Sequence, residues 1–325
     1  MKKQLLIMTP CRERHQKLLE ERIGEMYEIH FTERTNPDME LLTQAEVIIG
    51  EPTMEQLAVS KNLRWLQMTW AGTDRYTKNP GFPEGVVLTN GSGIYGGIIS
   101  EYIVGGILYL YRNFRFYNHN QESKIWKDFG MERMISGKRV LILGAGDIGR
   151  HTAKRLQAFD AVCIGIRRQK TEPGAYFEEM HTMDALYSEL PKADIVVSCL
   201  PSTPKTDGLL DEAAFAAMKD GAVVVNVGRG SVIQTEALEA ALKSGKISGA
   251  VLDVTSPEPL PKESTLWEME QVLLTPHISG PTWNHSPEIE DLVYELCLDN
   301  LVRYAEGREL QNVVDFASGY RKSVL

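Results

Sequence analysis

The chain has 325 residues, of which 43% are hydrophobic and 24% charged, and its 35 Lys and Arg against 44 Asp and Glu give a net charge of −9. That length predicts two domains with sizeable cores and argues against a disulfide scaffold or a disordered tail. The acidic balance argues against nucleic acid or an anionic membrane as the main partner, because both attract basic surfaces. Cys11, Cys163, Cys199 and Cys297 lie far apart with no C-x-x-C pair. This spacing suits a reducing cytoplasm and argues against a zinc ribbon. The apolar run at the N-terminus meets charge by Arg12 and has no small-residue cleavage site, so it reads as a first strand. The apolar stretch Ile94–Tyr111 is interrupted by Glu101 and falls short of a membrane span.

Short β-rich runs alternate with helical segments, which predicts parallel sheets covered by helices. Strands are expected at Gln4–Met8, Tyr27–Phe31, Glu46–Ile49, Arg64–Met68 and Val86–Thr89, with a helix at Arg12–Ile23. A long helix is expected over Gly97–Tyr117, followed by an irregular polar segment, Asn118–Gly137, that reads as an arm or linker. A second strand series follows at Arg139–Leu143, Val162–Ile166, Ile195–Cys199, Val223–Val227, Ala250–Val254 and Val272–Leu274. Within it, Glu236–Ser244 reads as a helix that Gly245 stops. The last helix is expected at Pro287–Glu306. Two strand series imply two doubly wound α/β units.

Residues Gly137–Gly149 read GKRVLILGAGDIG, a strand running into Gly144, Gly146 and Gly149 and then a helix at His151–Phe159. In such a turn the first glycine permits the bend, the second lets a pyrophosphate approach the backbone, and the third lets helix and strand pack. In this strand–turn–helix context the motif predicts a dinucleotide site. An NAD enzyme usually places a carboxylate after the second strand, about 20 residues on. Here Arg167 stands 23 residues past Gly144, followed by Arg168 and Lys170. A guanidinium chelates a 2′-phosphate where a carboxylate repels it, so NADP(H) is favoured over NAD(H). Three further groups emerge at strand ends: Arg229 in VNVGRGS, Glu258 in LDVTSPEPL, and His277 in LTPHISG.

Through these motifs the sequence resembles the D-isomer-specific 2-hydroxyacid dehydrogenases, in particular their glyoxylate and hydroxypyruvate reductase branch. The likeness is densest from Leu141 to Gly280, in NVGRGSVIQTEALEAALKSGKISGAVLDV and SPEPLPKESTLWEMEQVLLTPHISG, and returns in VVDFASGY. The resemblance implies a Rossmann dinucleotide-binding domain at 100–286 and a flavodoxin-like substrate domain at 1–99 plus 287–325. It puts Arg229, Glu258 and His277 on the catalytic arginine, glutamate and histidine, and Asp253 on the aspartate that meets the nicotinamide carboxamide. It implies cofactor contacts at Gly144, Gly146, Asp147, Ile148, Gly149, Arg167 and Arg168, and further along at Leu200, Pro201, Thr206, Val227, Gly228 and Gly280. Trp70, Ala71 and Gly72 resemble the loop whose backbone N–H groups bind the substrate carboxylate. Trp70 replaces the family's usual glycine and Thr73 a usual aliphatic residue, which bears on the size of the pocket. Ile94, Tyr95 and Trp283 are expected to shape it too.

The expected reaction is reduction of a small 2-oxo acid, with no metal required. His277 donates to the carbonyl oxygen, Glu258 orients the imidazole, and Arg229 anchors the carboxylate. An NAD-linked lactate- or phosphoglycerate-type dehydrogenase of the same family remains open, as does a dinucleotide-sensing corepressor-like protein. A Ser- or Cys-dependent hydrolase is disfavoured, because there is no G-x-S-x-G elbow and none of the four cysteines sits in a recognised nucleophile motif. The resemblance further implies a homodimer, with Tyr111–Met134 and its Trp126 as an arm toward the partner.

Overall fold

The computed structural model describes residues 2–169, 171–280 and 283–321, so Lys170 lies outside the described residues. Two compact units are present: Met1–Tyr95 with Pro281–Leu325, and Gly96–Gly280. The expected division at 99/100 falls inside a helix that begins at Gly96 and packs wholly in the second unit. The return at 280/281 comes ahead of the last helix, whose Glu290 accepts from the Asn284 N–H at 2.8 Å and so ties the preceding loop to it.

In chain order the first unit opens with β1 (Lys3–Ile7), α1 (Glu13–Ile23), β2 (Tyr27–Phe31), α2 (Met39–Gln44) and β3 (Val47–Ile49). It continues with α3 (Met54–Val59), β4 (Trp65–Gln67), α4 (Asp74–Thr77) and β5 (Val87–Thr89). The five strands are parallel in the order β2-β1-β3-β4-β5, the flavodoxin-like arrangement. Short helices start where side chains satisfy their free N–H groups. Asp38 caps α2, and Thr53 with Gln56 forms a capping box on α3. Leu6, Ile48, Leu66 and Leu88, one from each of four strands, are buried in a shared cluster. Each such side chain stabilises the unit by about 1.5–3 kcal/mol.

The second unit begins with α5 (Gly96–Tyr111) and α6 (Phe114–Glu122), then β6 (Arg139–Leu143), α7 (Asp147–Gln157), β7 (Val162–Ile166) and β8 (Glu179–His181). After α8 (Leu186–Glu189) come β9 (Ile195–Ser198), α9 (Glu212–Ala217), β10 (Ala222–Asn226), α10 (Thr235–Lys243), β11 (Ile247–Leu252) and β12 (Val272–Leu274). All seven strands are parallel, ordered β12-β11-β10-β9-β6-β7-β8. This is the doubly wound Rossmann order with one added strand, and its switch point lies between β6 and β9. The central strands are apolar through their middles because both faces are covered. Where one helix was expected over Gly97–Tyr117, Asn113 takes the left-handed conformation at φ +51° and separates α5 from α6.

The chain returns to the first unit through α11 (Pro287–Ala305), capped by Ser286 with Pro287 at its first position, and ends in a two-stranded ribbon, β13 (Val314–Asp315) with β14 (Tyr320–Arg321). A buried polar chain fixes this return. Asn300 donates to Gln67 Oε1 at 2.8 Å and accepts from the Gln311 N–H at 2.7 Å, while Thr89 donates to the same Gln67 oxygen at 2.8 Å. Among the described residues no helix is long and apolar enough to cross a membrane.

Candidate active site

β6 runs into the glycine turn at the switch point of the second unit. Gly144 takes φ +93°, and a Cβ there would lie 3.0 Å from the Cys199 carbonyl oxygen. Both the conformation and the space demand glycine. Gly149 lets the first turn of α7 settle on β6, since a Cβ would come within 2.5 Å of the Gly144 carbonyl oxygen. Gly146 has open space where its side chain would stand. The Gly144 and Ala145 N–H groups donate to the Ile166 carbonyl at 2.9 and 3.1 Å, drawing the turn onto the end of β7. Bare backbone therefore fronts the N-terminus of α7, where Asp147 and Ile148 begin the first turn. Unpaired N–H groups and the helix dipole there favour an anion, so the residues fit a dinucleotide pyrophosphate.

Arg167 follows β7 directly. Its N–H donates to the His181 carbonyl at 3.0 Å, and its Nη1 lies 3.4 Å from Thr171 Oγ1. The side chain is half-buried, while that of Arg168 is exposed. After β9, Leu200 is buried, and Thr206 donates to the Pro201 carbonyl at 2.6 Å while accepting from the Thr203 N–H at 2.9 Å. The Thr206 hydroxyl thus shapes its own loop. Gly228 packs on the backbone of Leu200 with no room for a Cβ. The thiol of Cys199 is pushed up to about 12 by burial, so it stays protonated at neutral pH.

Arg229, Glu258 and His277 all leave the carboxyl ends of neighbouring strands, where ligands bind in open α/β sheets. Asn226 ends β10 fully buried. Its Nδ2 donates to the Arg229 carbonyl at 2.9 Å, and its Oδ1 accepts from the Gly228 N–H at 3.2 Å, which fixes the loop Val227–Arg229. The Asn226 carbonyl also accepts from the Asp253 N–H at 3.0 Å. Asp253 is 1% exposed. Its Oδ1 accepts from Thr275 Oγ1 at 2.6 Å and the Ile278 N–H at 2.8 Å, and its Oδ2 from the Ser279 N–H at 2.9 Å. Behind Thr275, 2.6 Å away, stands the hydroxyl of Tyr102, pushed up to about 12 by burial. Because Thr275 gives its one proton to Asp253, Tyr102 is the donor to Thr275.

The Asp253 carboxylate therefore shapes the loop that presents His277 and runs on to Gly280. His277 is itself left-handed at φ +56°, its N–H donating to the Asp253 carbonyl at 2.8 Å. Its Nδ1 lies 2.7 Å from Glu258 Oε1, and both side chains are nearly half exposed. No partner meets Nε2 among the described residues. The sequence signal for the supporting residues was a polar side chain closing an all-apolar strand, as Asn226 does in AVVVN. Thr275 and Tyr102 carried no such signal.

In the first unit, Trp70 is exposed, with the Arg34 guanidinium carbon 5.9 Å from its ring centre. Ala71 and Gly72 are half-buried, and the Ala71 carbonyl accepts from Asn90 Nδ2 at 2.6 Å. Ile94 and Tyr95 are buried, and Trp283 packs edge-on against Tyr294 at 5.9 Å. In the second unit, ligand atoms of Glu179, His181 and Glu189 lie within 4.8 Å of one another. Arg139 meets both carboxylates at 3.0 and 2.8 Å, and Lys192 meets Glu189 at 2.7 Å, which makes the group an ion-pair network.

A glycine turn at the switch point of a Rossmann sheet, with an arginine, a glutamate and a histidine at its strand ends, defines a dinucleotide-binding α/β enzyme class. A family model described as D-isomer specific 2-hydroxyacid dehydrogenase, NAD binding domain, matches residues 104–279. Glyoxylate/hydroxypyruvate reductase A of Salmonella paratyphi B is 34% identical over 227 residues, 68% of this chain and 69% of that protein. A D-isomer specific 2-hydroxyacid dehydrogenase family protein from Aeromonas salmonicida superposes with a TM-score of 0.86 at 31% identity, covering 97% of this chain and 100% of that one. An NADPH-dependent glyoxylate/hydroxypyruvate reductase from Sinorhizobium meliloti, solved with NADP and sulfate, gives 0.79 at 25% identity over 98% and 100% of the two chains. The chain belongs to the D-isomer specific 2-hydroxyacid dehydrogenase family.

Proposed function

We propose that this protein reduces a small 2-oxo acid of the glyoxylate or hydroxypyruvate type to the D-2-hydroxy acid, with NADPH supplying the hydride. One observation carries the reading: His277 Nδ1 is engaged by Glu258 at 2.7 Å, which leaves Nε2 as the ring nitrogen that exchanges a proton. As charge develops on the substrate carbonyl oxygen, Nε2 donates its proton there, and in the reverse direction takes it back. Glu258 orients the ring and balances the charge it carries when protonated. Arg229 anchors the α-carboxylate with its planar fork and polarises the carbonyl. Asp253 acts as a positioning residue for the His277 loop.

The substrate class is supported by the relatives named glyoxylate/hydroxypyruvate reductase. NADP(H) over NAD(H) is supported by Arg167 at the end of β7, where its guanidinium meets Thr171 and no carboxylate among the described residues, and by the NADPH dependence of the Sinorhizobium enzyme. Arg168 adds positive charge beside it. The glycine turn with Asp147 and Ile148 would hold the pyrophosphate, and the loops at Leu200–Thr206, Val227–Gly228 and Gly280 would flank the cofactor. Residues 96–280 then serve as the cofactor domain. A cytoplasmic homodimer completes the proposal, supported by four cysteines without disulfides and by exposed Ile125, Trp126, Phe129, Met131 and Met134 in the arm.

A steady-state panel of NADPH and NADH against glyoxylate, hydroxypyruvate, pyruvate and a bulky 2-oxo acid tests the reading. The expected result is highest kcat/KM for NADPH with glyoxylate or hydroxypyruvate. Preference for NADH with the bulky acid would overturn it, and a monomeric mass by light scattering would overturn the dimer.

A further inference from the structure

We infer that Glu51 is a positioning residue for the substrate carboxylate, holding the turn at Thr69–Trp70 so that the next two amides, of Ala71 and Gly72, are kept for the acid. The inference rests on the proposed reading of residues 70–72 as the carboxylate-binding loop.

Glu51 lies just past β3 and is 2% exposed, and burial pushes its carboxyl above the ordinary value against the pull of the Thr69 and Trp70 donors. Its Oε1 accepts from the Thr69 N–H at 2.7 Å, from Thr69 Oγ1 at 2.8 Å and from the Trp70 N–H at 3.3 Å. The carbonyls of the same turn are held from another direction. Tyr95 Oη donates to the Thr69 carbonyl at 3.0 Å, the Gly91 N–H to the Trp70 carbonyl at 2.8 Å, and Asn90 Nδ2 to the Ala71 carbonyl at 2.6 Å. Four consecutive backbone groups, from the Thr69 N–H to the Trp70 carbonyl, and beyond them the Ala71 carbonyl, therefore have partners. Among the described residues no acceptor meets the N–H of Ala71 or Gly72. Half-buried donors left in a row beside a fully bonded turn suit an incoming anion. A buried carboxyl group costs free energy unless hydrogen-bonded, and three donors satisfy this one. Glu51 accordingly stiffens the turn immediately ahead of the two vacant amides.

The test compares wild type, Glu51→Ala and Glu51→Gln, with NADPH and either glyoxylate or its neutral carboxamide, alongside NADPH affinity by fluorescence titration. Glu51→Ala should raise KM for glyoxylate about tenfold or more with a smaller change in kcat, the scale set by stranding the Thr69 and Trp70 N–H groups. Its kcat/KM for the carboxamide and its NADPH affinity should stay at wild-type values. Glu51→Gln, which keeps an acceptor oxygen, should restore most of the loss. If Glu51→Ala fails to fold, Glu51→Asp, with the acceptor withdrawn by one methylene, carries the same comparison. Wild type inactive on every 2-oxo acid would overturn the substrate reading itself. Active wild type with unchanged KM in the variant, or equal loss on acid and carboxamide, would overturn the role of Glu51 alone.

Discussion

His277 Nδ1 lies 2.7 Å from Glu258 Oε1 even though the His277 backbone is left-handed at φ +56°. A non-glycine residue held there costs on the order of 1–3 kcal/mol. The bonds from the His277, Ile278 and Ser279 N–H groups to Asp253 hold it in place. The imidazole is thus aimed by its loop and locked by the glutamate. Glu258→Gln, which keeps the shape and removes the charge, should lower kcat by about tenfold or more, less than loss of the acid itself. NADPH affinity should not change, and steady-state rates with a titration check both.

Asp253 is buried and takes three donors from one loop. Its replacement by alanine strands the Ile278 and Ser279 N–H groups and the Thr275 hydroxyl. At about 1–3 kcal/mol for each unsatisfied group, Asp253→Ala should destabilise the protein by about 3 kcal/mol or more and lower kcat with it. The urea midpoint measures this. A midpoint equal to wild type would show that the loop holds its shape without the carboxylate.

Arg167 fixes the expected cofactor preference. A charge-assisted bond to a 2′-phosphate is worth ~1.5–3 kcal/mol, roughly ten- to a hundredfold in affinity. Arg167→Asp should therefore weaken NADPH use by that factor while sparing NADH, and the wild-type preference should shrink as salt rises. Competitive titration with both cofactors reads the effect. A variant indifferent to the exchange would mean that the guanidinium faces solvent.

The parts of this fold that could be read from the sequence were those with strong local signals. Long apolar runs such as Leu141–Leu143 and Val223–Val225 mark strands buried on both faces, and Gly144, Gly146 and Gly149 mark the turn by their spacing. β8 escaped notice because Glu179-Met180-His181 is short and polar, becoming a strand only by pairing with Ile164–Ile166. The break between α5 and α6 rests on a single left-handed Asn113, which no apolar periodicity reports. At the site, Arg229, Glu258 and His277 were legible as a cation, a carboxylate and an imidazole at strand ends. The work of Asp253 in holding residues 275–279, and of Glu51 in holding Thr69–Trp70, is tertiary. It depends on which loop lies beside a buried carboxylate, and that spacing along the chain does not encode.

In the first unit the Arg12 guanidinium bonds both oxygens of Glu290 and holds its carboxyl below the ordinary value of 4.5. A folded-state value below the unfolded one means stability that is present above pH ~4.5 and lost as pH falls through the folded value. The melting temperature should therefore drop on acidification from about pH 5 downward. Glu290→Gln should flatten that slope while lowering Tm at neutral pH. An identical acid slope in the variant, measured by thermal melts across pH 3–7, would assign the loss to other carboxylates.

The central claim is that His277 gives the proton to the substrate oxygen. The direct measurement is NADPH oxidation at saturating glyoxylate by wild type and His277→Ala, with NADPH affinity titrated on both proteins. The account predicts a fall in kcat of ~10²–10⁴-fold with cofactor affinity largely kept. Full activity in the variant would contradict it.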